Sequence, residues 1–89
     1  MFKPKDLFTI PGRGMVITGE LSNEALTKGM SAKVGDAEVI IEEIETFREK
    51  HESVTASGDE VVNVGLLVSN VDESEIRQII EQDEEILFR

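Results

Sequence analysis

"FTIPGRG", residues 8–14, decides how this chain is read. A Gly-Arg-Gly loop beside an apolar, β-branched run is either a phosphate cradle or a turn between two strands. Pro11 presets φ near −65° and Gly12 accepts a positive φ, the two demands that a type II turn makes of its central residues. A phosphate loop instead needs G-x-x-x-x-G-K-[ST] spacing running into a helix. Gly14 is followed by Met-Val-Ile-Thr, a strand former, with no Lys-Ser pair. The stretch therefore reads as a corner joining a strand over "LFTI" (7–10) to a strand over "MVITGEL" (15–21).

Further along, "SNEALTKG" (22–29) is polar and turn-rich, so an exposed loop is expected, with Leu26 packing inward. "MSAKV" (30–34) forms a short strand and "GD" (35–36) a hairpin turn. "AEVIIEEIETF" (37–47) is the longest β run, but Val39, Ile41 and Ile44 do not keep a strict period of two. A bulge at Glu42-Glu43 restores the register. Helix is the competing assignment there, and the Val-Ile-Ile centre favours strand.

Residues 48–60 are charged, then small and polar, and read as a surface loop with a Gly-Asp turn, or as a hairpin tip. "VVNVGLLVSNV" (61–71) is a nearly continuous apolar run, the mark of a strand buried on both faces or closing a barrel, and Gly65 within it points to a bend or a close backbone approach. One helix follows. Asp72 as N-cap pairs with Glu75 in capping-box spacing, Val71 and Ile76 hold the staple positions, and Ile76, Ile79 and Ile80 share a face. It ends near Gln82, and "EILFR" (85–89) forms a last short strand.

Five or six short strands with one late helix, in a chain of 89 residues, predict an all-β protein: a single domain over 1–89 shaped as a small closed antiparallel barrel, because closure removes exposed edges. At this size about 60% of the unfolded surface can be buried, enough for one modest core. The initial Met and the strand-like end read as those of a small complete protein, a piece of a larger factor being the alternative.

Nine basic against nineteen acidic side chains give a formal net charge of −10. Phosphate binding draws its affinity from Lys and Arg displacing counterions, so non-specific nucleic-acid binding is not expected. There is no Trp or Tyr and only four Phe, which leaves little platform for stacked bases. Zero cysteines exclude disulfides, thiolate zinc sites and a cysteine nucleophile. Charges interrupt the start "MFKPKDLFTI", and no apolar run approaches the roughly 20 residues that cross a bilayer, so no membrane association and a cytoplasmic location are expected.

No chemistry can be assembled from the residues alone. His51, the single histidine, lies in a polar stretch without neighbouring ligands, and "EQDEE" (81–85) lacks the calcium-loop spacing, so no metal or cofactor is expected. No nucleophile-base pair stands out, and the chain reads as no enzyme.

Taken in order, "DLFTIPGRGMVITGEL" (6–21), "LTKGMSAKVGD" (26–36), "IETFREK" (44–50) and "NVGLLVSNV" (63–71) resemble the blocks of the second domain of elongation factor Tu and related translational GTPases. The likeness spans most of the chain, and the first block is its most specific part. It implies a six-stranded translation-protein barrel. In that family the second domain packs on a GTP-binding domain, and the two together hold the aminoacylated 3′ end of transfer RNA. Carried over by motif, Glu45 falls where the family's Glu contacts the terminal ribose, and Gly12, Arg13 and Val16 fall in the turn and strand lining the adenosine pocket. Leu67 takes the apolar position on its other side, Asn63 a position near the aminoacyl group, and Arg48 an accompanying basic position.

Departures from the family accompany these matches. No P-loop, magnesium-binding acid or guanine-recognition motif occurs, the loop at 52–62 is longer, and no glycine ends the helix. The resemblance with these departures implies a stand-alone, non-catalytic binding module for a protein partner, a GTPase domain or translation component. Recognition of the aminoacylated 3′ end of tRNA is the alternative.

Overall fold

The computed structural model describes residues 1–47 and 49–89. The chain is mostly β, with six antiparallel strands in one sheet and one short helix: β1 (Phe2–Ile10), β2 (Gly14–Thr27), β3 (Ser31–Val34), β4 (Ala37–Thr46), β5 (Glu49–His51), β6 (Ser53–Ser69) and α1 (Glu73–Glu81). The strands follow the order β1-β2-β6-β4-β3, with β5 paired to β4. Among the described residues no helix is long and apolar enough to cross a membrane.

The β1–β2 corner has the expected form. The Arg13 amide donates to the Ile10 carbonyl at 3.0 Å, and Gly12 takes φ 80°, the left-handed value that a type II turn places at its third residue. β1 starts at Phe2, five residues before the apolar run that signals it. Pro4 is tolerated because β1 is an edge strand, and the register shifts between Pro4 and Asp6. A second shift between Ile41 and Glu43 is the bulge that the broken period in β4 requires.

Two segments read as loops are strands. Residues 22–27 continue β2 and pair with the first part of β6, as in Leu26 against Val54 and Thr27 against Ser53. Residues 49–51 form β5 on β4, and β6 begins at Ser53, eight residues before its apolar run. Backbone pairing holds this arm, with Leu26 and Ala56 buried in the core and Val54 packed against it, while residues 57–60 are exposed. Its ladder is interrupted once: Ser22 pairs Val61 and Glu24 pairs Ala56, so Asn23 alone stands opposite the four exposed residues 57–60.

The core collects the alternate residues of each strand: Leu7 from β1, Ile17 and Leu21 from β2, Val39, Ile41 and Ile44 from β4, and Val64, Leu66 and Val68 from β6. Helix α1 forms as its caps predict. The Asp72 carboxylate accepts from the Glu75 amide at 3.4 Å, and Ile76 is fully buried while Val71, Ile79 and Ile80 pack against the core.

"EILFR" is no strand. Ile86 makes a single bridge to Phe2 on β1, its amide donating to the Phe2 carbonyl at 2.9 Å. Arg89 exchanges both backbone bonds with Ser31 on β3, at 2.8 and 2.9 Å. Ile86 and Phe88 point into the core and Leu87 outward, the strand period without a ladder. The two ends of the strand path, β1 and β3, are not paired with each other, and this segment touches both.

Candidate functional site

The face of the sheet opposite the core carries four of the sequence-predicted site residues, Val16, Glu45, Asn63 and Leu67. Odd-numbered residues 63–67 of β6 and even-numbered residues 16–20 of β2 point there, which the registers arrange in rows across the strands. One row runs Phe8, Val16, Leu67, Glu43; the next runs Asp6, Thr18, Gly65, Glu45; a third pairs Glu20 with Asn63. Val16 is buried at 9% exposure yet lies outside the core cluster, because its neighbours are on this outer face.

Gly65 sits between Thr18 and Glu45 with no side chain to fill its place. The result is a hollow of about 370 Å³ whose lining includes Phe8, Val16, Glu45, Asn63 and Gly65. Phe8 and Phe47 stand at its edge, 42% and 93% exposed. Val16, Glu45 and Asn63, far apart in sequence, are thus brought together. Leu67 lies beside Val16 in the ladder, outside the lining of the hollow. Gly12 is in the turn with no atom within 4 Å of a Cβ built on it, so it shapes the corner and does not line the hollow. Arg48 lies outside the described residues.

Arg13 reaches from the turn to β4. Its Nη2 donates to Glu43 Oε2 at 2.6 Å and to Glu45 Oε1 at 2.8 Å, so one guanidinium nitrogen is shared by two carboxylates. Lys50 Nζ stands 3.5 Å from the other oxygen of Glu43. The hydrogen bonds that Arg13 donates to Glu45 and then Glu43 raise its pKa above the ordinary value. The bond from Arg13, with help from the Lys50 charge, holds Glu43 below the usual carboxylate range.

That shift fixes a pH dependence. A carboxylate bound more weakly to its proton in the folded state stabilises the fold above its unfolded pKa of about 4.3, and loses the contribution as pH falls through the lower folded value. The Glu43 side-chain carboxyl resonance is expected to titrate below that of a free glutamate in an acid NMR series. Arg13→Gln is expected to return it to the ordinary range.

Sequence reading missed Glu43 and Phe8 as part of this face and read Gly65 only as a bend. Glu43 follows the β4 bulge, so its outward direction depends on a register shift that the sequence signals but does not aim. A Cβ on Gly65 meets Val16 Cγ1 at 3.7 Å and Thr18 Cγ2 at 4.0 Å, ordinary contact distances. Gly65→Ala is therefore expected to change stability by less than about 1 kcal/mol in urea denaturation. It places a methyl group in the hollow, so any ligand that enters there is expected to bind more weakly.

One further pair has chemical potential. Thr46 Oγ1 and His51 Nε2 share a hydrogen bond of 2.5 Å across the β4–β5 ladder, which brings a hydroxyl beside a base. The Glu49 carboxylate is 3.9 Å from the same Nε2, where it competes with the hydroxyl and does not orient the ring from its far nitrogen. Among the described residues no cluster of three or more His, Cys, Asp or Glu is arranged to hold a metal ion.

No protein-family model matches the chain.

Proposed function

We propose that the chain is a non-catalytic binding module built like the second domain of elongation factor Tu, with its sheet rolled into a translation-protein barrel closed by the C-terminal segment. Its ligand is a protein, a GTPase domain or translation component met in the cytoplasm, and the outer face of β1, β2, β6 and β4 is the binding surface. The backbone bonds of Ile86 to β1 and of Arg89 to β3 support the closure.

The observation that carries the protein reading is the state of Arg13. The basic side chain best placed to greet a phosphate is already bonded to Glu43 and Glu45, on a molecule of net charge −10. A surface with Phe8 exposed beside an open hollow and its charges internally paired suits a protein side chain better than a polyanion. Recognition of an aminoacylated RNA 3′ end is the second reading, favoured by one observation: Val16, Glu45 and Asn63 line one hollow. Its volume of about 370 Å³ falls within the range of small-ligand sites.

The test is a pair of titrations on ¹⁵N-labelled protein. An isolated translational GTPase domain is one probe, and a short aminoacylated RNA ending in CCA is the other. Shifts at Phe8, Val16, Glu45 and Gly65 with the first probe support the protein reading, and the same shifts with the second alone transfer the site to RNA. Silence of these residues toward both removes the assignment of this face.

A further inference from the structure

We propose that Glu43 sets the ligand preference of the outer face by masking Arg13 against anions. This rests on the reading of that face as the binding surface, and adds to it a residue and a mechanism.

Arg13 is the last residue of the β1–β2 turn, its amide closing the turn onto Ile10, and β6 separates β2 from β4 in the sheet. Nothing local requires its guanidinium to lie toward β4. What draws it there is a pair of carboxylates two positions apart on one strand, both on the outer face because the bulge after Ile41 places Glu43 in phase with Glu45. With Glu45 alone, the guanidinium has one anionic partner and four remaining donors for a ligand. With Glu43 added, the two carboxylates carry more negative charge than Arg13 carries positive, and both bonds fall on the same nitrogen at 2.6 and 2.8 Å. A phosphate approaching the turn meets a cation whose charge is spent and two carboxylates that repel it.

Lys50 contributes to the same device. It faces Glu43 from β5 at 3.5 Å, on the side away from Arg13's bond, so the Glu43 carboxylate is held between two cations and keeps its charge and position. The Arg13, Glu43 and Glu45 side chains are each 30–39% exposed, so the mask is open to solvent and exchangeable, as a discriminator must be.

Removing the mask should turn the face toward anions. Wild type, Glu43→Gln and the double variant Glu43→Gln with Arg13→Gln are titrated with a CCA-ended RNA hairpin at two salt concentrations, each fold being checked by its amide spectrum. Glu43→Gln is expected to bind the hairpin about fivefold more tightly than wild type, with the salt dependence steeper by about one phosphate contact. The double variant is expected to lose both gains. Unchanged affinity in Glu43→Gln, including no binding by either protein, overturns the mask. So does a gain that survives loss of Arg13, since that is only the effect of one fewer negative charge. These outcomes leave the GTPase-domain titration untouched, so failure of the mask and failure of the binding-module reading are separable.

Discussion

Phe88→Ala is expected to lower the free energy of unfolding by about 3–5 kcal/mol, the range for truncating a buried aromatic side chain. Phe88 is 3% exposed and meets Phe2 edge to face, with ring centroids 6.0 Å apart. It lies between Ile86, which bridges to β1, and Arg89, which bonds to β3, so its ring anchors a segment in contact with both ends of the strand path. Small domains are stable by about 5–15 kcal/mol in total, and a loss of this size consumes a large share. Urea denaturation measures it. Amide exchange gives the location: the Ser31 and Ile86 amides are expected to lose protection before those of β2 and β6. A loss below about 1 kcal/mol would mean that the segment rests on the sheet without holding its edges.

Gly19→Ala is the second large effect, and its cause is steric. A Cβ on Gly19 would lie 2.4 Å from the Lys3 carbonyl oxygen and 2.8 Å from two ring atoms of Phe2. The first is backbone and cannot swing aside, and the second belongs to a fully buried ring in the core. The β1–β2 ladder must therefore part near Pro4, which pairs with Gly19, or the ring must leave its place. Overpacking of this kind costs about 3 kcal/mol. The measurement is the shift of the urea midpoint at constant slope, with Gly65→Ala as the control. A Gly19→Ala protein as stable as wild type would show that β1 sits differently against β2 at this point.

The sequence shows most clearly those parts whose side chains face the core. The type II corner at Pro11-Gly12, the bulge in β4 and the caps of α1 were legible because each needs particular residues at particular spacings. The arm formed by residues 22–27 and 53–61 was not, since its inward face is carried by only Leu26, Val54 and Ala56 among polar neighbours, too few apolar positions to announce a strand period. The last segment reads as a short strand in the sequence, whereas in the structure it is a tie between two edges, which depends on partners more than fifty residues away.

The same division holds for the site. Val16, Glu45 and Asn63 were found by resemblance and converge in space. The partnership of Arg13 with Glu43 joins positions thirty apart, and no local pattern announces it. Gly12 matches the family motif equally well and yet does not line the hollow. A motif match gives the position of a residue in the chain, and only the register of the strands decides which face it serves.

The excursion at residues 57–60, where a single Asn23 faces four residues, has a practical value. Gly58 there has open space around it, with no atom within 4 Å of a built Cβ. An affinity tag or fluorophore-binding peptide spliced after Gly58 lengthens a detour already present and leaves the paired positions on both flanks in step. The graft thus supplies a handle for immobilising the protein without touching the rows that carry Val16, Gly65 and Glu45.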